Sequence, residues 1–393
     1  MPPLFVRAFL DFAPILLSWS GRLVTWLATY AIHSTLFIGA VWLATSGVLG
    51  RRVPLASSSG LWRLAVVAGV ITTSLQLSGA LSSLTPPLEL LGASRAAYRV
   101  LVTTRSHAGM EGPLALMTRI EMQPVWPVVA LLLWSAGATC ALGLLALARR
   151  RLTQVLAVRR DGLHTVAGVA LREVMRRARV RRVIALGVVD NLASPVAVGR
   201  ARICLPRRAL AEFDPVQLES ILAHELAHLE RNDAIWLIIA RVIEALFFFQ
   251  PLNRLARRRM IDAAEFAADE WAVAVTSRPV TLARCLARVA EWASSESLAM
   301  APAMAERRSS TLVRRVRRLT TVSESAAPAI APLPVVVAMA ALALVAPRAI
   351  GAPLRQRSPG QQVHVRFEKE LLPAQGQQFR IVTTDSTVVV VRR

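Results

Sequence analysis

Long uncharged runs dominate the hydrophobic pattern of this chain. Residues 23–50 hold no charged side chain, and neither do residues 64–84, 125–148 and 326–347. Each run is long enough to cross about 30 Å of hydrocarbon as a helix, so the pattern predicts four transmembrane helices. Pro328, Pro332 and Pro334 make the entry to the fourth irregular. Arg7 and Asp11 interrupt the apolar start of the chain. Residues 1–22 therefore read as an interfacial segment or a helix extension rather than a signal peptide. The apolar stretch 234–249 is shorter and carries Arg241 and Glu244, which fits a buried helix or one dipping into the interface.

Between the third and fourth runs the periodicity shortens. Residues 166–180 have the spacing of an amphipathic helix with a basic face. RVIALGV (182–188), SPVAVG (194–199) and ARICLP (201–206) read as short strands, with turns at Asp190-Asn191 and Gly199-Arg200. In EFDPVQLESILAHELAHLERND, Asp214 is a helix N-cap, Pro215 suits the first helical position and Gln217 completes a capping box. Leu218, Ile221, Leu222 and Leu229 supply that helix's apolar face. After a break at Gln250-Pro251, residues 253–275 form a second strong helix by composition. In the tail, residues 361–367, 378–384 and 386–393 alternate like strands.

The predicted fold is mainly α, a multi-span membrane protein with an α+β domain between the third and fourth spans. Its boundaries are three helices with their loops over 23–148, the inserted domain over 149–325, the fourth helix over 326–347 and a short tail over 348–393.

Charge orients this layout. The chain is 54% hydrophobic yet carries a net charge of +22, a combination that joins bilayer segments to basic segments beside anionic lipid. Arg51, Arg52 and Arg63 lie between the first two spans, Arg149, Arg150 and Arg151 follow the third, and Arg314, Arg315, Arg317 and Arg318 precede the fourth. By the positive-inside rule, residues 51–63 and 149–325 face the cytoplasm of a bacterial inner membrane. The N-terminus, the 85–124 loop and the tail lie outside. The arginine-rich stretch 297–328 reads as a juxtamembrane segment touching lipid. It lacks a helix-turn-helix or interleaved aromatics, so nucleic acid is not an expected partner. Cys140, Cys204 and Cys285 are too scattered for a disulfide framework or a zinc knuckle.

The chemistry concentrates in HELAHLERND (224–233). On a helix, His224 and His228 are one turn apart on one face and present their imidazoles to one point, with Glu225 beside them. This is the HExxH arrangement, in which two histidines bind zinc and the glutamate is the general base. The alternative is a pair of surface histidines. A third ligand is needed, and none follows at the metzincin spacing. Glu265 and Asp269 share one face of the 253–275 helix in an alanine-rich stripe, where two acids are costly to bury without partners. Glu265 is assigned as third ligand and Asp269 as the acceptor that orients a ligand histidine.

These residues resemble the BlaR/MecR-type membrane metallopeptidases of the gluzincin clan. SPVAVGRARICLP (194–206) is similar to the family's strand pair, HELAHLERND to its HELxHxxRxD motif, and EFAAD (265–269) to its ExxCD, with Ala268 in place of cysteine. The resemblance covers roughly residues 25–350. It implies a zinc ion held by His224, His228 and Glu265, Glu225 as catalytic base, and Arg231 and Asp233 as supporting residues near the helix end. It further implies hydrolysis of a cytoplasmic regulator, such as a transcriptional repressor; the exposed 297–328 stretch adds the chain itself as a candidate substrate, and a homodimer is a further candidate state. The chain departs from the family's antibiotic sensors: only residues 351–393 follow the last span, without an SxxK nucleophile motif. Gln250 replaces the family's Asn before Pro251, and Ala264 stands where an arginine is frequent. The competing functions are a housekeeping membrane protease of the HtpX/Ste24-like kind and a non-catalytic scaffold. The group that steadies the oxyanion stays open among an arginine, His164 and the metal, because Tyr30 and Tyr98 both fall outside the catalytic segment.

Overall fold

The computed structural model describes residues 4–46, 55–78, 87–91, 102–103, 115–116, 126–157, 160–190, 192–296, 302–321, 333–346, 348–351, 379–384 and 387–392. Helix α1 runs unbroken over Leu4–Thr45, so the start of the chain extends the first apolar helix. Helix α2 covers Leu55–Leu77 and α3 covers Trp126–Ala157. The stretches Trp19–Thr45, Ser58–Gln76 and Trp126–Ala157 are long and apolar enough to cross a membrane.

Two of the predicted spans move. The second was expected at 64–84 but starts six residues earlier, at Ser58, taking in Arg63, because that arginine has partners that make it tolerable inside the helix. The last apolar helix is Leu333–Val345. At about 1.5 Å per residue its length is roughly 20 Å, short of the ~30 Å hydrocarbon core. Pro334 in its first turn lacks only an N–H that would go unpaired anyway.

The chain divides into two compact units. One comprises residues 1–28, 87–133 and 348–393. It contains β1 (Pro87–Leu91), β2 (Val102–Thr103) and β3 (Ala115–Leu116), and a tail with β8 (Arg348–Gly351), β9 (Phe379–Thr384) and β10 (Thr387–Arg392). Strands β9 and β10 pair antiparallel, with Val389 opposite Val382, as the alternation in the tail predicts. The strand expected at 361–367 lies outside the described residues.

The other unit, residues 29–86 and 134–347, contains the HELAH helix. Its sheet has the order β4-β5-β7-β6, built from Arg160–Asp161, Ala185–Val189, Arg202–Pro206 and Val196–Val198. Strands β5 and β7 are parallel, and β6 closes one edge antiparallel to β7. Gly199 takes a positive φ of 62° in the β6–β7 turn, a conformation that glycine adopts without a Cβ penalty. Helix α4 (Val166–Arg177) follows β4, and α5 (Arg207–Glu212) follows β7.

The helices that carry the site come next: α6 (Pro215–Glu230), α7 (Asp233–Leu246), α8 (Pro251–Thr276), α9 (Pro279–Glu296), α10 (Pro302–Thr320) and α11, the 333–345 helix. The capping box forms as the sequence predicts, with Asp214 accepting from Gln217 N at 2.8 Å and Gln217 accepting from Asp214 N at 3.0 Å. Leu218, Ile221, Leu222, Leu226 and Leu229 of α6 are fully buried against β7 and α9. Burial of one such side chain contributes about 1.5–3 kcal/mol, so the HELAH helix is fixed by its apolar face.

Helix α2 belongs to this same unit and packs along α8. It buries Leu61, Trp62, Ala65 and Val66, whereas α3 leaves Leu144 and Leu147 exposed, as a lipid-facing helix would. On α1, Ser34 lies so near Gly69 of α2 that an added Cβ would come within 3.2 Å, a small-residue approach familiar between membrane helices. Gln250, at the entrance to α8, reaches Ala31 O and Ser34 Oγ of α1, each at 2.9 Å. Three residues on, Asn253 Oδ1 accepts from the Tyr30 hydroxyl at 3.0 Å. Gln250 thus anchors α8 to α1.

Candidate metal centre

His224 and His228 project from one face of α6, in its third and fourth turns, and Glu265 projects from α8. Their ligand atoms all lie within 4.8 Å of one another. His224 Nε2 is 3.2 Å from His228 Nε2, 3.6 Å from Glu265 Oε2, and His228 Nε2 is 3.8 Å from Glu265 Oε1. Ligands at 2.0–2.1 Å from a tetrahedral zinc stand about 3.3–3.4 Å apart. The three donors therefore fit a zinc ion.

The electrostatics of the pocket favour a cation. Burial alone would lower the basicity of His224, but the Asp269 and Glu265 carboxylates outweigh it and raise the imidazole to about 9. Glu265 is half-buried, which by itself raises its carboxyl, yet His224 and Arg315 hold it well below the usual range. Glu225, one residue along α6, is buried, and that burial pushes its carboxyl up against the pull of both histidines. The Ala197 N–H on edge strand β6 donates to it.

Each histidine has an aspartate on its second nitrogen. His228 Nδ1 meets Asp233 Oδ2 at 2.7 Å. Asp233 reaches it because the chain reverses in two residues: Asn232 takes φ 55°, ψ 35° and α7 begins at once with Asp233. Asn tolerates this left-handed conformation better than most residues. His224 Nδ1 lies 3.0 Å from Asp269 Oδ1, an ion-pair approach rather than an aligned hydrogen bond.

Two arginines that sequence reasoning did not place here complete the site. Arg315 of α10 makes a two-pronged contact with Asp269, Nε and Nη2 each donating at 2.7 Å. Its Nη1 is 2.7 Å from Glu265 Oε2, and its Nη2 is 3.5 Å from His224 Nε2. Burial opposes its charge, but Asp269 and Glu265 hold the guanidinium firmly protonated. The stretch 297–328 was expected to lie against lipid, yet Arg315 turns into the site while Arg318 meets Glu270 at 2.8 Å. Arg63 of α2 donates to Asp233 Oδ1 and, at 2.9 Å, to the Arg231 carbonyl. No local signal marks either arginine, because their partners are 46 and 170 residues away.

Among the remaining expected residues, Arg231 Nε stands 3.5 Å from Asp233 Oδ2. His164 is 92% exposed and faces Asp161 at 3.9 Å, and it is not part of the His-His-Glu cluster. Tyr30 is committed to Asn253.

A family model described as BlaR1 peptidase M56 matches residues 25–347. The chain belongs to this family. Membership makes it a membrane-associated peptidase of the metal-dependent type, and the His-His-Glu cluster lies within the matched region. No curated protein matches the chain.

Proposed function

We propose that this M56 member is a zinc endopeptidase that cleaves a cytoplasmic regulatory protein, or itself, in transmembrane signalling. The convergence of His224, His228 and Glu265, with Glu225 buried beside them, carries the reading. When bound, zinc supplies Lewis acidity, making water acidic near neutral pH and polarising a carbonyl. Glu225 takes the proton from the attacking water and delivers it to the leaving amine. Strand β6 is the sheet edge beside α6, and its Ala197 N–H is one hydrogen bond from Glu225. An extended substrate adds to that edge as a further strand, which brings its peptide bonds past the base.

Arg315 fills the open oxyanion role. A guanidinium has five N–H donors. Asp269 takes one from Nε and one from Nη2, and Glu265 lies at Nη1. The second N–H of Nη2, on the nitrogen 3.5 Å from His224 Nε2, becomes available when that imidazole nitrogen gives its lone pair to a metal. It meets the negative charge that grows on the substrate carbonyl oxygen.

Arginine placement supports a cytoplasmic substrate, since the positive-inside rule assigns 149–325 to the inner side. The test uses the full chain purified in detergent, with metal analysis and cleavage of an unfolded protein substrate. Wild type and Glu225→Gln are expected to hold one zinc per chain, with cleavage by the variant down roughly 10²–10⁴-fold. Absence of stoichiometric zinc, or equal cleavage by the two, overturns the reading.

A further inference from the structure

Helix α2 has 23 residues, and Arg63 is its only charged one. A charge in such a helix is expensive unless it is partnered, and it marks function by default. The Arg63 guanidinium is 15% exposed and spends its donors on the α6–α7 turn: Nη2 on Asp233 Oδ1 and Nη1 on the Arg231 carbonyl. Its cation also sits 5.6 Å from the centre of the Trp236 ring on α7. The other Asp233 oxygen holds His228 Nδ1 at 2.7 Å. One carboxylate is thus shared between a helix of membrane-crossing length and a histidine of the metal cluster.

We propose that Arg63 is a positioning residue for the metal site, so that the second apolar helix sets the geometry of one ligand. Arg63 fixes the Asp233 carboxylate in place. Asp233 then fixes which nitrogen of His228 carries the proton and the plane of the ring, leaving Nε2 aimed at Glu265 and His224. A shift or rotation of α2 withdraws the guanidinium, and His228 loses its bearing before any α6 backbone moves. A ligand set carried on α6 and α8 thereby answers to a helix of membrane-crossing length. The inference rests on reading the cluster as a metal centre.

The test loads the full chain, in detergent or nanodiscs, with Co²⁺ and records its visible ligand-field spectrum and its affinity in competition with a chelator. Wild type should bind one Co²⁺. Arg63→Met should alter the spectrum and weaken binding about ten- to hundred-fold, Asp233→Asn should do the same, and the double variant should be no weaker than either single one. Arg63→Lys keeps the charge but not the two-pronged geometry. It should bind with a displaced spectrum, and it decides the matter if Arg63→Met fails to fold. An unchanged spectrum and affinity in folded Arg63→Met, or in Arg63→Lys, would reduce Arg63 to a fastener between helices and overturn the proposal. Wild type that binds no Co²⁺ would instead overturn the metal-centre reading beneath it.

Discussion

His224 and His228 are one turn apart on the same helix, yet different parts of the chain hold them. Each is backed by an aspartate and each aspartate by an arginine. The His224 arm runs through Asp269 of α8 to Arg315 of α10. The His228 arm runs through Asp233 of α7 to Arg63 of α2. The first arm is the more deeply buried, with Asp269 at 5% exposure against 11% for Asp233. Its arginine also touches Glu265 and lies near the metal locus. The second arm stops a carboxylate away from the cluster. Similar parts thus take different places: one arm's arginine reaches the metal cluster itself, while the other ties the cluster to a helix of membrane-crossing length.

The largest effect should come from the arm that touches the cluster. Arg315→Met leaves Asp269 buried without its partner, and breaking a buried pair costs about 3–5 kcal/mol. Turnover should fall roughly 10²–10³-fold, the usual loss for one oxyanion donor. Arg315→Lys separates the two roles. It should recover most of the thermal stability while kcat stays low at a nearly unchanged KM. Full recovery of kcat in the lysine variant would make Arg315 a tether for Asp269 and nothing more.

The aspartates come next. Asp269→Asn and Asp233→Asn should each weaken metal binding about 10–100-fold, with Asp269→Asn the more severe because its carboxylate is more buried and contacts both nitrogens of the Arg315 fork's edge. Chelator competition measures both. Equal losses would erase the distinction between the arms, and a greater loss in Asp233→Asn would reverse it.

How far these arms could be read from sequence follows from the distance between partners along the chain. His224, Glu225 and His228 are visible because helical spacing puts them together, and the capping box that starts their helix is visible for the same reason. Glu265 and Asp269 stand out as two acids one turn apart among alanines, a pattern with a physical cost that needs a remedy. Arg63 and Arg315 were hidden in plain charge. Arg63 marked the limit of an uncharged run, so hydropathy placed it in a loop, although its partner on α7 lets it sit within the helix. Arg315 looked like its neighbours Arg314, Arg317 and Arg318, because which side of α10 faces α8 is set by tertiary packing. Of the fourth uncharged run, 326–347, the described residues form the helix Leu333–Val345.

The smallest effect is the most pointed for the comparison, since Arg231 and Arg63 both approach Asp233. The sequence motif draws attention to Arg231, two residues from the aspartate. The geometry favours Arg63. Arg231 Nε is 3.5 Å from Asp233 Oδ2 and makes no aligned hydrogen bond there, whereas Arg63 donates to Asp233 and to the Arg231 carbonyl as well. The Arg231 contact to Arg63 runs through the main chain, which survives truncation of the side chain. Arg231→Ala should therefore cost less than about 1 kcal/mol, in line with a loosely held, partly exposed pair, and change Co²⁺ affinity by no more than a few-fold. If Arg231→Ala instead weakens metal binding as much as Arg63→Met does, Asp233 is oriented from within the α6–α7 turn, and the His228 arm no longer depends on α2.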